Sequence, residues 1–320
     1  MDDMTNTPTG DDRITKADVQ PGDILLLQYE PLPDKEIRGL IYEAIADWVS
    51  GKPFDEEEVK KLMPLVHWAI TMVDNNKFFH AAIVGADRNV IESGLSGVQS
   101  TRLEEYWDGA ISVYRYHDGA IDIGSASLLT GPVTEKAQSL LGQPIKYGYY
   151  HAVLLTLWCL FRRGEGAVMA EIRGILEARF GKWWTDILLA GGREDKIRLM
   201  LVNLYTHLLD LWRRDHYLVC SELVAVCFNE AEGDTYHISR QTDETAVLSA
   251  APPGVGAPSD PVTDSAQLKQ LTDLIDTVSI AAPLQSLEVA TQAANTDMLY
   301  TPGDLALSLS TRLVGNMGKF

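Results

Sequence analysis

The sequence predicts an α+β fold, because strand-like patterns dominate its N-terminal third and helix-like patterns dominate the rest. A Pro-Gly turn leads into an apolar run at 24–29, which is typical of a buried strand. Two further runs, 78–84 and the one that begins at Val90, flank a polar turn and predict a hairpin. After Val133 the apolar residues recur with helical spacing and are punctuated by glycines.

Apolar spacing assigns the remaining elements. The run GAISVYRYHDG predicts another strand. Near the end of the chain we expect an amphipathic helix capped at Asp264 or Ser265, and a short helix in TPGDLALSLSTRLVG. Helical spacing predicts the other helices at 34–50, 57–63, 135–141, 149–162, 167–180, 183–189, 195–213 and from Cys220 to about Gly233.

Composition and charge restrict the classes of partner. The chain has 320 residues and a formal net charge of −18. Nucleic acid is excluded as the main ligand because phosphate binding needs a basic surface, and adsorption to anionic membranes is disfavoured. No secretory signal is visible, and the longest apolar run, 149–161, is too short to span a bilayer. We therefore expect a cytoplasmic protein without an integral membrane segment, although export by a dedicated system leaves no such trace.

The three cysteines, Cys159, Cys220 and Cys227, form no close pair and no zinc-ligand spacing. This usage is typical of a reducing compartment, and we expect neither a metal nor an organic cofactor. Cys159 and Cys227 lie in apolar helical runs, where a lone cysteine is usually a small buried hydrophobic residue. Cys220 differs because a short apolar lead-in turns into a helix at this residue.

The position of Cys220 predicts a reactive thiol. The first turn of a helix presents unpaired N–H groups and the positive end of the helix dipole, and both stabilise a thiolate. The same N–H groups stabilise an oxyanion on an attacked carbonyl. A nucleophilic thiol also needs a base, and His80 on its predicted strand is the best candidate. Glu92 on the following strand is the candidate that orients the imidazole.

Alternatives to this triad stay open. If the hairpin turn is centred on its Asp-Arg pair, Glu92 pairs with Ile83 and lies ~10 Å along the strand from His80. Twist, a bulge or a broader loop must close that gap. Simpler roles are a buried hydrophobic cysteine, a structural histidine and a solvated glutamate. His216 is the rival base. The other histidines have no comparable partner in the sequence: His67, His117, His151, His207 and His237.

Three motifs, GDILLL, FFHAAIVG with VIESG, and YLVCSELVAVCF, resemble the circularly permuted NlpC/P60 (papain-like) cysteine hydrolases of the YiiX/YaeF-like type. The resemblance covers residues 19–232, and TPGDLALS is similar to that family's tail. It implies that Cys220 is the nucleophile, His80 the general base and Glu92 the orienting residue, in the chain order of the permuted branch. It also implies a permuted papain-like fold, in which a small antiparallel, barrel-like sheet packs on the cysteine-bearing helix.

This resemblance divides the chain into four parts. Residues 1–18 are expected to form a flexible lead and 19–240 the hydrolase domain. A linker rich in Pro, Gly, Ala and Ser follows at 241–263, and 264–320 is expected to be a C-terminal helical segment that docks on the body. Within the hydrolase domain, the helices at about 149–214 are expected to be an insertion.

The chain departs from the family pattern at two positions. An acidic residue often precedes the family's histidine, where this chain has Phe79, and an aspartate is common where it has Gly148. The lecithin:retinol acyltransferase-like branch, with an Asn-Cys-Glu-His pattern, is a less close match. The candidate substrate-binding residues are Tyr147, Tyr217 and Ser221, and a packing role for Tyr147 is the alternative.

The predicted function is thiol-dependent cleavage of an amide bond, such as a peptide, isopeptide or peptidoglycan-type bond, through an acyl-enzyme. A lipid-acyl hydrolase or acyltransferase is favoured instead if the tryptophan-rich helical insertion forms an apolar tunnel to Cys220. A non-catalytic binding or structural protein is favoured if that thiol is unreactive. The expected ligand is therefore peptide-like or an acyl lipid, and the oligomeric state is open.

Overall fold

The computed structural model describes residues 13–30, 32–49, 56–74, 76–94, 96–117, 131–161, 165–212, 217–232, 236–238, 265–277, 299–308 and 310–318. The predicted linker at 241–263, most of the predicted lead, the rival base His216 and the possible cap Asp264 lie outside these ranges.

The described strands form one large sheet and one small one. They are β1 Ile24–Gln28, β2 Phe78–Val84, β3 Asn89–Gly94, β4 Gly97–Arg102, β5 Ile111–Tyr116, β6 Lys146–Tyr147, β7 Tyr217–Leu218 and β8 Thr311–Met317. The large sheet is antiparallel in the order β4-β3-β2-β1-β5-β8, whereas β6 and β7 pair in parallel. With the helices that follow, this confirms an α+β fold.

The helices agree with the predicted ones in number and order along most of the described chain. They are α1 Asp34–Val49, α2 Glu56–Val73, α3 Gly131–Leu141, α4 Tyr149–Phe161, α5 Glu165–Phe180, α6 Lys182–Leu189, α7 Arg193–Trp212, α8 Cys220–Asn229, α9 Ser265–Thr277 and α10 Pro302–Leu307. The main difference is α2, which continues past Pro64. Pro64 is exposed while Met63, Val66 and Ile70 are buried in a core cluster, so packing outweighs the cost of the proline.

The prediction of a barrel-like sheet is corrected, because the sheet formed by the described residues is open. β1 lies inside it between β2 and β5, and β4 and β8 are its two edges. The sequence also predicts only a helix for 301–315, whereas the chain forms α10 and then β8. Pairing with β5 along the sheet edge stabilises β8 as a strand, because tertiary contacts outweigh the local sequence preference.

α8 packs on one face of the sheet. Leu223, Val224 and Cys227 share a buried cluster with Ile83 of β2 and Ile91 of β3. Every residue of α8 from its first to its ninth position is buried. Burial of apolar surface contributes roughly 25 cal/mol per Å², so the helix and the residue at its start are fixed against the sheet.

α3 and α10 share the buried cluster of α8, whereas the other helices form two further clusters. α4 is buried along almost its whole length and packs with α2 and α7, where the rings of Phe161 and Tyr205 lie 5.0 Å apart. Residues of α1, α5, α6 and α9 share another cluster, which contains Trp184. Among the described helices, none combines the length and the hydrophobicity needed to cross a membrane.

The C-terminal segment docks on the body near the start of α8. The Thr301 hydroxyl donates to the Asp74 carboxylate at the end of α2, and the Asp304 carboxylate accepts the Thr301 N–H at 2.9 Å. The Ser221 hydroxyl donates to the Tyr300 carbonyl. The bond from Ser221 connects the segment to the helix that carries Cys220, and the bond from Thr301 connects it to the end of α2.

Candidate active site

The chain that leads into α8 is held by several hydrogen bonds. The Leu218 carbonyl accepts one from the Ser93 hydroxyl at 2.8 Å and one from the Gly148 N–H at 3.1 Å. The Glu222 carboxylate accepts the Val219 N–H at 3.0 Å. A carboxylate in this position complements the positive end of the helix dipole. The first turn of α8 is therefore fixed in position.

Cys220 is the first residue of α8, which confirms the prediction that it opens a helix. It is 5% exposed. An α-helix leaves the N–H groups of its first turn without intrahelical acceptors, so the sulfur lies beside backbone donors and the positive end of the dipole. Both favour negative charge at this place.

His80 and Glu92 are brought together, with His80 Nε2 2.7 Å from Glu92 Oε2. The register that predicted a long offset is not the observed one, because Ile83 pairs with Ile91. Extending this pairing by one residue places Glu92 opposite Ala82, on the diagonal from His80. Diagonal neighbours lie within reach of long side chains, so the two residues meet without a broader loop.

A β-bulge lies next to His80. Leu27 of β1 pairs with His80 whereas Gln28 pairs with Phe78, so Phe79 is the extra residue on β2. A bulge bends its strand, increases the local twist and re-aims the neighbouring side chains. A bulge is one of the three features expected to bring the histidine and the glutamate together.

Glu92 is anchored by three neighbours. Besides the imidazole of His80, it accepts hydrogen bonds from the Tyr106 hydroxyl at 2.7 Å and the Gln99 amide at 2.9 Å. Burial raises the pKa of Glu92, but these hydrogen bonds and the charge of His80 outweigh burial and lower the pKa to about 2. The carboxylate is therefore charged at neutral pH and fixed in orientation.

His80 connects this carboxylate to Cys220. Burial lowers the pKa of His80, but the electrostatic interaction with nearby Cys220 and the contact with Glu92 together raise the pKa to about 10. Nε2 faces Glu92, so Nδ1 is the ring nitrogen that does not contact the carboxylate. The three predicted catalytic residues thus lie in one neighbourhood.

A pocket of ≈ 470 Å³ opens next to His80. Its size lies within the range of small-molecule sites in proteins. Its walls are formed by α2, the start of β2, the end of β3, β6 and the segments that follow β1 and β4. The lining residues are Tyr29, Glu30, Leu32, Lys60, Met63, Pro64, His67, Phe79, His80, Gly94, Trp107 and Tyr147.

The three predicted substrate-binding residues lie in different environments. Tyr147 lines the pocket, and burial followed by the charge of Cys220 raises its pKa well above the ordinary value. The half-buried Tyr217 ring packs edge-on against His151 and does not line this pocket. Ser221 is fully buried and bonded to the C-terminal segment, so its hydroxyl holds the fold and does not face the pocket.

Gly148 explains one departure from the family pattern. A Cβ atom at this position would lie 2.8 Å from the His151 ring, so an aspartate does not fit here. His151 Nδ1 lies 3.6 Å from Glu222 Oε2, and both side chains are 3% exposed. The space that the resemblance predicts for an acidic side chain is therefore filled by a buried histidine.

The other two cysteines are core residues, as predicted. Cys159 and Cys227 are fully buried in hydrophobic clusters, and none of the three cysteines is in a disulfide bond. Burial raises the pKa of Cys227, which keeps that thiol protonated. The described part of the chain contains no group of three or more His, Cys, Asp or Glu side chains that is suited to a metal ion.

Sequence reasoning missed His67, Gln99 and Tyr106. His67 lies beyond the predicted end of α2 and reaches the pocket only because the helix continues. The one sequence signal for His67 was its position as a polar residue within the hydrophobic stripe of a longer helix. Gln99 lies on β4, opposite Glu92 of β3. A prediction of one more strand after VIESG would have placed Gln99 beside Glu92. Tyr106 follows β4 and offers no local signal.

Comparisons of the chain with models of known families, with curated proteins and with solved structures found no match.

Proposed function

We propose that the protein is a thiol hydrolase that cleaves a carboxylic acid amide through Cys220, with a permuted papain-like arrangement of the catalytic residues. The observation that carries the proposal is the position of His80, which contacts Glu92, lines a pocket and interacts electrostatically with Cys220 at the start of α8. A thiol, an imidazole and an orienting carboxylate in series are the parts that nucleophilic catalysis by cysteine requires.

The reaction follows from this order of contacts. His80 holds the thiol proton, and the sulfur attacks the substrate carbonyl to form a C–S bond. His80 then gives that proton to the leaving nitrogen as the C–N bond breaks, and an amine departs. His80 next takes a proton from water, whose oxygen attacks the thioester carbonyl. The C–S bond breaks, the acid is released and the thiol is restored.

Three features of the site support this sequence of steps. Glu92 stays charged and stabilises the imidazolium that both steps form, because its pKa is about 2. The N–H groups at the start of α8 lie where an oxyanion would develop next to the sulfur. Tyr147 lies on the wall of the pocket that His80 also lines, where a bound acyl group would contact it.

A second candidate is cleavage of an acyl ester, including a lipid ester, by the same residues. The composition of the pocket favours it, because most of the lining side chains are apolar or aromatic, among them Leu32, Met63 and Phe79. The same acyl-enzyme passes its acyl group to water or to another acceptor in this case. The leaving group, an amine or an alcohol, is the difference between the two candidates.

The proposal is tested with a thiol-directed activity probe and a substrate panel. Mass spectrometry of the labelled chain should find the probe on Cys220 and not on Cys159 or Cys227. Amide and ester substrates with one common acyl group should then be turned over by the wild type and not by Cys220→Ala, while Cys159→Ala is the matched control that keeps activity. An unlabelled Cys220, or full turnover by Cys220→Ala, contradicts the proposal and favours a binding role.

A further inference from the structure

One wall of the pocket is built from aromatic rings around Phe79. The His67 ring lies 4.8 Å from the Phe79 ring in a tilted arrangement. Tyr29 and Trp107 contact it edge-on, with ring centroids 6.1 and 6.3 Å away. Trp107 is 44% exposed, so this indole stands at the open rim. Exposed tryptophans that join a pocket wall are suited to bind another ring.

The charged groups that line the pocket are either paired or exposed to solvent. Lys60 is 2.8 Å from Glu57 and lies over the Tyr149 ring at 5.1 Å, and Glu30 is exposed. The imidazole of His80 is paired with Glu92. Phe79 itself occupies the position where the resemblance predicts an acidic side chain. An uncharged group that enters beside Phe79 therefore meets aromatic surface in place of that carboxylate.

His67 adds a neutral polar group to the same wall. It is half-buried, and burial together with the positive charge of His80 lowers its pKa to about 4. Its imidazole is therefore uncharged at neutral pH and has one N–H donor and one acceptor nitrogen. A neutral imidazole in a pocket tolerates an aromatic ligand, whereas an imidazolium would favour an anionic one.

We infer that this pocket binds an uncharged aromatic acyl group, whose ring lies between Trp107 and Phe79 while its carbonyl reaches Cys220. The inference rests on the proposed function, since it names the acyl group that the thiol attacks. The carboxyl carbon is bonded to the ring directly or through a short linker, because His80 and Phe79 are adjacent on β2. Phe79 and Trp107 are thus specificity-determining residues.

An aromatic acyl group has two sources, an aromatic carboxylic acid joined to an amine and a peptide that ends in an aromatic residue. Both present one ring next to one carbonyl. A set of substrates with a common 4-nitroaniline leaving group separates them: phenylacetyl, N-acetyl-phenylalanyl, hexanoyl and glutaryl. We expect kcat/KM for one of the two aromatic acyl groups to exceed that for hexanoyl and glutaryl at least tenfold.

Matched variants test the wall itself. Trp107→Ala and Phe79→Glu should each lower kcat/KM for the preferred aromatic substrate at least tenfold, and Phe79→Glu should reduce the preference over hexanoyl. Trp183→Ala removes another exposed tryptophan, 51% exposed on α6, and should change nothing. Thermal unfolding of each variant verifies that it is folded. Equal kcat/KM for all four acyl groups, or a preference for glutaryl, overturns the inference and leaves the hydrolase proposal standing.

A binding measurement separates the two failures. Cys220→Ala should bind N-ethyl phenylacetamide or N-acetyl-phenylalanine ethylamide in isothermal titration calorimetry, and Cys220→Ala with Trp107→Ala should bind at least tenfold more weakly. If no substrate is cleaved but this binding is observed, the hydrolase proposal fails and the aromatic pocket stands. If neither amide binds more tightly than N-ethyl hexanamide, the aromatic pocket fails whatever the catalytic outcome.

Discussion

Two acid–histidine pairs lie near the start of α8, and they differ in nearly every respect that matters for chemistry. His80 and Glu92 are 2.7 Å apart, and the imidazole lines a pocket. His151 and Glu222 are 3.6 Å apart and both are buried. The carboxylate of the first pair is bonded through both oxygens, whereas Glu222 Oε1 has no hydrogen-bond partner among the residues that the structure describes. The same two residue types therefore occur both in the candidate active site and in the buried packing near the start of α8.

This difference shows what the sequence patterns leave undecided. A histidine and a glutamate near a cysteine are candidates for a triad in either pair. Access to a pocket and an electrostatic interaction with Cys220 distinguish His80, while Glu222 caps the helix through the Val219 N–H. We therefore propose that the first pair serves catalysis, whereas the second fixes the position of α8.

The largest expected effect separates the two histidines. His80→Ala should lower turnover per folded molecule by about 10²- to 10⁴-fold, because general acid–base catalysis contributes that much. His151→Ala should instead lower the free energy of unfolding by about 2–4 kcal/mol, as expected when a buried side chain is removed. Steady-state kinetics and urea unfolding of both variants measure this. Similar turnover losses for both would remove the distinction.

The two glutamates should differ in the same direction. Glu92→Gln should lower turnover by about 10- to 10³-fold, because a group that orients a catalytic base is lost. Glu222→Gln keeps an oxygen that accepts the Val219 N–H, so turnover should change by no more than about threefold. The ratio of kcat values at pH 7 decides this. A larger loss in Glu222→Gln than in Glu92→Gln would reverse our assignment.

Acid should weaken the fold through Glu92. Its pKa in the folded protein is about 2, below the ordinary value of 4.5. The charged carboxylate therefore stabilises the fold above about pH 4.5, and this contribution is lost as the pH falls through about 2. The difference in free energy of unfolding between wild type and Glu92→Gln should shrink by about 3 kcal/mol between pH 6 and pH 2. A difference that is constant over this range contradicts the anchored carboxylate.

The smallest expected effect concerns two tyrosines. Tyr106→Phe removes a buried hydrogen bond to Glu92 and should cost about 1–2 kcal/mol of stability, with a modest loss of turnover. Tyr217→Phe keeps the ring that packs on His151 and is the matched control, with turnover unchanged. Thermal unfolding and kcat at pH 7 measure both. Equal effects would indicate that the Tyr106 hydroxyl does not support Glu92.

The sequence predicts the individual strands and helices of this molecule better than the contacts between them. The hairpin that carries His80 and the helix that begins at Cys220 follow from apolar spacing, and both are observed. The register that unites His80 with Glu92 depends on a one-residue difference in pairing and on a bulge, which local patterns do not determine. The edge strand β8 depends on a partner distant in sequence.

The open sheet and the pocket show the same limit. Strand patterns do not state whether a sheet closes, because closure depends on which edges meet. His67 was missed since the predicted helix ended before it, although packing carries α2 past Pro64. Tyr106 supports Glu92 from a segment without regular structure. Contacts of this kind are decided by the tertiary fold.

The rate at which iodoacetamide alkylates Cys220, measured against pH, tests the central claim most directly. Because the pKa of His80 is about 10, the imidazole carries a positive charge below that pH and should increase the reactivity of Cys220 there. The wild type should react at pH 6 at least tenfold faster than His80→Ala, and the two rates should converge as the pH rises through about 10. His151→Ala should match the wild type throughout. Identical profiles for wild type and His80→Ala, or a Cys220 that never reacts, would contradict the account.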